Sequence, residues 1–464
     1  MKIEIFKAYD IRGIYPKEIN EEAAFKIGQA FYHFLLQTLK KKPSKILLAR
    51  DNRLSSPSLA KSFSMGVKSQ GGKIINLGII PTPTFYFASW YLKADGGAMI
   101  TASHNPPEFN GIKLIGKNAK PIAKGAGMEK IKSLVKKLPK ISKIKKGKEE
   151  KKSILNEYLK FSFKFLDKRK VLPLKIVIDT ANAVAGLWIP FLKRNLKQIT
   201  FYHLFEKLDG RFPNHLPDPL KKENLKFLSE KVKEVKADFG VAFDGDGDRI
   251  IFVDENGNPV SGDIITALLS KIILEKNPGQ KILYDIRSSK IVKETIEENG
   301  GKAYLCKTGH SFIKLKMAKY NIYFGGEVSG HYYLKDNHFM EMPLFVLFKV
   351  IEKLSEERKP FSQVLKPFQK YFSSGEINFE MEERREVVEA LKKYFKKLPC
   401  KISTLDGIKA EFDDFWVLVR PSNTEPLLRL MIEAKSKEIL DKKTKEMKAL
   451  ILKTQKEVIQ SGQD

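Results

Sequence analysis

At 464 residues the chain is long enough for three or four domains of roughly 100–200 residues each. Its 42% hydrophobic and 11% aromatic content fills several cores and excludes a disordered chain, and no apolar run approaches the ~20 residues that cross a bilayer. The net charge of +29, from 84 Lys and Arg against 55 Asp and Glu, predicts attraction to phosphorylated metabolites, nucleic acid or an acidic membrane surface. The excess is mostly lysine spread along the chain, denser at Lys40–Lys42, Lys136–Lys152 and Lys392–Lys397, so it reads as a basic, solvated surface. A nucleic-acid footprint calls instead for clustered arginines interleaved with aromatics. Two cysteines, Cys306 and Cys400, make no disulfide framework, and Met1–Ile5 mixes charges at once, unlike a signal peptide. The expected compartment is a reducing cytoplasm.

Residues 1–148 alternate strands and helices. Ile46–Ala49 and Ile74–Gly78 are short apolar runs ending in turn chemistry, and Ser56–Lys68 between them has helical spacing. The small apolar run Gly96–Thr101 predicts another strand, whereas Lys136–Lys152 reads as a linker or an exposed helix. A second unit, 149–250, holds the strands Lys175–Asp179 and Phe239–Phe243. A third, 251–368, has Ile282–Asp285 as a strand and Ile322–Gly326 leading into a polar loop. The last region, 369–464, changes texture: a helix over Glu382–Phe395 precedes two paired strands, Phe415–Val419 and Leu427–Ile432. The order predicts an α/β protein of three similar mixed α/β domains followed by a smaller α+β C-terminal domain, around a central cleft.

Ser103, in Thr101-Ala102-Ser103-His104-Asn105-Pro106, stands at a strand end, where ligands bind in α/β sheets. Asn105, Pro106 and Pro107 force a non-helical loop that projects the hydroxyl; the same residues also make an ordinary polar turn. His104 is its immediate neighbour and no Gly-x-Ser-x-Gly elbow is present, which argues against a hydrolase triad. Asp244, Asp246 and Asp248 are sharper. Gly245 and Gly247 between them let a tight backbone aim three carboxylates at one point, and that unpaired charge calls for a hard, oxygen-loving cation. An EF-hand is excluded because its sixth position, normally glycine, is Arg249 and the flanks are β-branched and aromatic. Arg420-Pro421-Ser422-Asn423-Thr424, with Arg429 close behind, has the makings of an anion cradle between two strands. Gly326-Glu327-Val328-Ser329-Gly330-His331 places a carboxylate, a hydroxyl and an imidazole among glycines, and Glu327 can accept bonds from two sugar hydroxyls. Each of these last two stretches also has a plain reading as a polar or glycine turn.

Together with Ala8-Tyr9-Asp10-Ile11-Arg12-Gly13, these motifs resemble, in order and over essentially the whole chain, those of the α-D-phosphohexomutase family, in its phosphomannomutase/phosphoglucomutase branch. The resemblance implies that Ser103 carries the phosphoryl group and that Asp244, Asp246 and Asp248 hold Mg²⁺, with the serine phosphate completing the shell. It implies that Arg249 neutralises the transferring group, that Tyr9 and Arg12 lie near the phosphoserine, and that His104 and Lys113 flank it. Glu327 and Ser329 match the sugar loop, and Arg420, Ser422, Asn423 and Thr424, with Arg429, the distal phosphate loop. His310 and His331 match substrate-contacting histidines, and Lys113 and His331 become the proton-shuttle candidates. The implied activity interconverts hexose 1-phosphate and 6-phosphate through a hexose 1,6-bisphosphate, in a monomer or homodimer without nucleic acid or membrane as partner.

Met340-Glu341-Met342-Pro343 lacks the glycine of the family's acidic-glycine pair, and Val328 lies nearer the mannose/glucose type than the glucosamine type. Two other readings use the same parts. An amino-sugar mutase keeps the whole mechanism. A metal-dependent serine phosphatase has little need for a sugar loop or a second phosphate cradle.

Overall fold

The computed structural model describes residues 2–137, 147–422 and 426–461. They form two compact units, Met1–Gly262 with Lys314–Val364, and Asp263–Ile313 with Leu365–Asp464. No helix among the described residues is long and apolar enough to cross a membrane.

The first unit opens with a mixed sheet. Its strands are β1 (Ile11–Ile14), β2 (Ile46–Arg50), β3 (Lys73–Ile79), β4 (Gly96–Ile100), β5 (Phe109–Gly116) and β6 (Lys148–Lys151), in the order β1-β5-β4-β2-β3-β6. β2 runs parallel to both β3 and β4, and β4 is buried along its whole length, as a strand covered on both faces must be. Helices α1 (Glu21–Leu39) and α2 (Ser56–Ser69) cover this sheet. Asn20 starts α1 by accepting from the Ala23 amide at 3.0 Å, with Glu21 and Glu22 complementing the positive end of the helix. The two helices cross at reciprocal glycines: a Cβ on Gly28 would stand 2.3 Å from the Phe63 carbonyl oxygen, and one on Gly66 2.1 Å from that of Phe25. Because β2 and β4 are parallel neighbours, the loops after them leave the sheet side by side.

A second sheet follows: β7 (Leu174–Asp179), β8 (Ile199–Leu204), β9 (Phe239–Phe243), β10 (Ile250–Val253) and β11 (Pro259–Val260), ordered β11-β10-β9-β7-β8. β10 is antiparallel to β9, so the boundary expected at 250 falls inside a hairpin and the sheet continues to Val260. The first unit also contains the strands Phe324–Gly326, Tyr332–Leu334 and Met340–Glu341, paired antiparallel in succession. In the second unit, Lys281–Asp285 pairs parallel with Lys302–Cys306. Its C-terminal sheet is antiparallel, with Phe415–Pro421 and Leu427–Ala434 at the centre and the helix Arg384–Phe395 packed on it. The strands expected over Phe415–Val419 and Leu427–Ile432 are thus present and longer.

Lys136–Lys152 is not a single linker or helix. Met128–Lys137 is helical, Lys148–Lys151 is the edge strand β6, and 138–146 lie outside the described residues. All four β6 residues are exposed, so no apolar signal marked the strand; charged residues suit an edge that must not pair with another molecule. Glu149 ties β6 down, accepting from Lys68 at 2.8 Å, Ser64 at 2.6 Å and Asn76 at 2.8 Å. Burial pushes its carboxyl up, but these bonds outweigh it and hold it at about 2, against an ordinary 4.5. A depressed carboxylate adds stability above pH 4.5 that is lost as the pH falls toward 2. Glu149→Gln is therefore expected to be less stable than the parent at neutral pH, by on the order of 1 kcal/mol after allowing for solvent screening. The gap should close toward pH 2, as read by denaturant titrations across that range.

Candidate active site

The loop after β4 turns sharply. Ser103 takes a left-handed conformation, φ +50°, at 3% exposure, a strain of about 1–3 kcal/mol that gathers at functional loops. Its amide donates to Thr101 Oγ1 at 2.9 Å, and its Oγ donates to Asp244 Oδ2 at 2.6 Å. Other side chains approach this loop. Arg12, on β1, donates to Asn105 Oδ1 and to Asp10 Oδ2, both at 2.5 Å, and Tyr9 is half-buried on the preceding turn. His104 Nδ1 lies 3.3 Å from Ser103 Oγ; burial, then Arg249 and Arg12, push its pKa well down, so its imidazole is neutral.

Asp244, Asp246 and Asp248 occupy the tip of the β9–β10 hairpin, all at 1% exposure or less, and offer ligand atoms within 4.8 Å of one another. The alternation with glycine has a steric reason: a Cβ on Gly245 would stand 2.2 Å from the Ser103 carbonyl oxygen. Lys113, on β5, places Nζ 2.6 Å from both Asp246 Oδ2 and Asp248 Oδ2. Thr82 Oγ1 also donates to Asp246 Oδ2, at 2.6 Å. Burial pulls the Lys113 ammonium down, but the two aspartates more than compensate and hold it well above the usual lysine range. It is therefore a fixed cation and a poor proton acceptor, which narrows the shuttle role given to it above. Asp244 is pushed well up by burial and by Asp248 and Asp246, while Asp248, also buried, is held well down by Lys113 and His331. Asp246 Oδ1 is buried with no hydrogen-bond partner, and Asp248 Oδ1 meets only the His331 imidazole. Buried carboxylate oxygens so sparsely matched fit a hard divalent cation.

The sugar-loop candidates gather on the same side of the first unit. His331 Nε2 is 3.2 Å from Asp248 Oδ1 and 3.4 Å from Arg249 Nε, and its Nδ1 is 3.0 Å from Ser329 Oγ. Arg249 itself faces Asp244 at 3.8 Å and Asp218 at 3.9 Å. Tyr333 donates its hydroxyl to Glu327 Oε1. Where the family's glycine is missing, Glu341 is fully buried and meets Lys314 Nζ at 2.7 Å; the next helix begins at Pro343, after Met342, without a side-chain cap.

The phosphate-cradle candidates lie in the second unit. Arg420 and Arg429 are cross-strand partners, and Glu376 lies between them at 3.2 and 3.1 Å, damping a repulsion that like charges would otherwise feel. Asp406 is 3.8 Å from Arg420. Ser422 donates its amide to the Leu427 carbonyl at 2.8 Å; Asn423 and Thr424 lie outside the described residues. His310 begins the helix His310–Tyr320. Sequence reasoning missed Arg287. It is nearly buried at the end of strand Lys281–Asp285, forks onto Asp285 Oδ2 at 2.6 and 3.2 Å, and with burial depresses Arg420. The signal was available, since Asp285-Ile286-Arg287-Ser288-Ser289 is polar chemistry at a strand end. Arg53, on the turn after β2, was also missed.

Four family descriptions match consecutive stretches: phosphoglucomutase/phosphomannomutase alpha/beta/alpha domain I over 4–141, domain II over 153–257, domain III over 261–371, and the C-terminal domain over 376–450. A phosphomannomutase of Methanocaldococcus jannaschii is 40% identical over 97% of this chain and 98% of its own length. A phosphoglucomutase of Neisseria meningitidis is 36% identical over 97% of this chain and 96% of its own. A crystal structure of a phosphoglucomutase/phosphomannomutase family protein from Burkholderia thailandensis superposes with a TM-score of 0.89 at 30% identity, covering 98% of each chain. With a fold of three α/β domains and a C-terminal domain, and the buried serine–aspartate site just described, the chain belongs to the phosphoglucomutase/phosphomannomutase family of α-D-phosphohexomutases.

Proposed function

We propose that this enzyme interconverts hexose 1-phosphate and hexose 6-phosphate, accepting both mannose and glucose, through a phosphoserine at Ser103 and a hexose 1,6-bisphosphate that also serves as activator. The observation that carries this reading is the contact of Ser103 Oγ with Asp244 at 2.6 Å beside the buried, unpartnered Oδ1 of Asp246, in a cluster of three buried carboxylates. A lone hydroxyl nucleophile needs no such cluster, whereas a phosphoserine with a divalent cation does.

The Oγ–P bond of phosphorylated Ser103 breaks as a P–O bond forms to the free sugar hydroxyl, whose proton passes to His331. The bisphosphate then turns around, the O–P bond of its other phosphate breaks as Ser103 Oγ–P re-forms, and the proton held by His331 passes to the freed sugar oxygen. Asp244, Asp246, Asp248 and the serine phosphate would hold Mg²⁺, which supplies charge stabilisation at the transferring group. Lys113, Arg249 and Arg12 add fixed positive charge where phosphoryl transfer gains most from it, the buried donors having no reorganisation to make. Glu327, oriented by Tyr333, accepts from the sugar hydroxyls in both orientations, with Ser329 on the same loop, while Tyr9 serves the substrate near the phosphoserine. Arg420, Ser422, Asn423, Thr424 and Arg429, with His310 and Arg287, serve the phosphate that is not reacting.

The proposed domains are 1–148, 149–260, 261–368 and 369–464, with the boundary expected at 250 moved past β11 so that the β9–β10–β11 pairing stays within the second. The enzyme acts in the cytoplasm as a monomer or homodimer, with neither nucleic acid nor membrane as partner. The test is conversion of mannose 1-phosphate and glucose 1-phosphate with Mg²⁺ and trace hexose 1,6-bisphosphate. Both 6-phosphates are expected. Release of inorganic phosphate instead would move the assignment to a phosphatase, and turnover of glucosamine 1-phosphate alone would move it to the amino-sugar branch.

A further inference from the structure

Arg53 stands on the turn after β2 and is 1% exposed. Its Nη1 donates to the carbonyl oxygens of Pro106 at 2.6 Å and Phe109 at 3.1 Å, and its Nη2 to those of Ser103 and Asn105, both at 2.6 Å. All four terminal N–H groups of the guanidinium fork are thus spent on one loop, 103–109, and none faces solvent. Nε faces Asp51 Oδ2 at 3.2 Å, and the Phe212 ring covers the guanidinium at 5.1 Å. Asp51 is itself fixed, accepting from Ser56 Oγ at 2.5 Å and from the Arg53 amide at 3.0 Å.

Four carbonyls aimed at one point repel one another unless a cation sits there. A left-handed serine persists only where its surroundings over-determine it. The Ser103 carbonyl that Arg53 holds is also the one against which Gly245 packs, so it fixes the spacing between the serine loop and the aspartate hairpin. Lysine cannot substitute, because an ammonium offers three donors about one atom in place of a planar fork.

We propose that Arg53 is a positioning residue for phosphoryl transfer: it meets no substrate, and it sets where Ser103 Oγ stands relative to Asp244. The inference rests on Ser103 being the phosphoryl carrier. Arg53→Lys keeps the charge opposite Asp51 and loses the fork. Its kcat is expected to fall about 10–100-fold with KM for the hexose phosphate within about threefold, since a displacement near 1 Å costs about that much. In Arg53→Ala, millimolar guanidinium ion is expected to restore at least a tenth of the lost kcat. A folded Arg53→Lys with a lowered Tm and unchanged kcat overturns the proposal, leaving Arg53 a purely structural group. If Arg53→Lys does not fold, Phe212→Leu decides: it keeps Arg53 and removes the ring, 5.1 Å away, that holds the guanidinium plane against the four carbonyls. A fall in kcat of threefold or more at constant KM supports the role, and an unchanged kcat overturns it. Ser103→Ala, assayed in parallel, separates the two claims. Activity in that variant defeats the nucleophile assignment, whereas its inactivity beside a normal kcat in Arg53→Lys defeats only the role of Arg53.

Discussion

Ser103→Ala is expected to lower kcat by at least about 10⁴-fold, because it removes the hydroxyl that would carry the phosphoryl group, and the other hydroxyl on the cluster, that of Thr82, is fully buried against Asp246. The fold should tolerate the change. Asp244 loses one hydrogen-bond donor, which costs about 1–3 kcal/mol, and the cation that the cluster would hold offsets part of that. The check is a coupled mutase assay beside a thermal melt with and without Mg²⁺. A variant that melts like the parent and turns over at a tenth of its rate would remove Ser103 from the chemistry.

Lys113→Met should be the more damaging of the two for stability. The side chain is 5% exposed and its Nζ bridges two carboxylates that are themselves buried. Methionine fills the volume and leaves Asp246 and Asp248 unopposed, which costs about 3–5 kcal/mol for a broken buried pair. A divalent cation competes for the same carboxylates, so it should recover part of the loss: about 2.7 kcal/mol at a hundred times its Kd. The Tm of the variant should accordingly rise with Mg²⁺ more steeply than that of the parent, while kcat falls about 10²–10⁴-fold through lost charge stabilisation. The raised pKa of Lys113 adds a pH signature. Its contribution is complete below 10.5 and is lost only as the pH rises through the higher folded value, so the parent keeps this pair throughout the neutral range. A variant whose Tm ignores divalent cations would show that the three aspartates are not a metal site.

Strands buried on both faces were the most legible parts of the sequence. Phe239–Phe243 and Gly96–Ile100 are unbroken apolar runs, and each ends in the polar residues that make the site. The aspartate cluster was legible because glycine alternation has no other common use, and its hairpin tip follows from the turn chemistry of Gly245 and Gly247. What escaped notice carries no local signature. β6 is four charged residues whose strand character comes from backbone pairing with β3 and from Glu149 reaching Lys68, Ser64 and Asn76. Arg53 looks like any arginine in a polar turn, and its role depends on β2 and β4 being parallel neighbours whose loops emerge together. The domain boundary near 250 was misplaced for a related reason: β10 completes the hairpin begun by β9, a pairing that spans the aspartates and leaves no mark in composition. Lys113 was placed beside Ser103 by resemblance alone. Its pinning between two aspartates, which fixes it as a cation, required β5 and the hairpin to be seen together.

The most direct test is the identity of the phosphorylated atom. The enzyme is treated with hexose 1,6-bisphosphate, digested and mapped by mass spectrometry before and after addition of hexose monophosphate. The account predicts one phosphate, on Ser103, that is discharged by the sugar phosphate and persists in water alone. Phosphate on another residue, or turnover with Ser103 never modified, would contradict it.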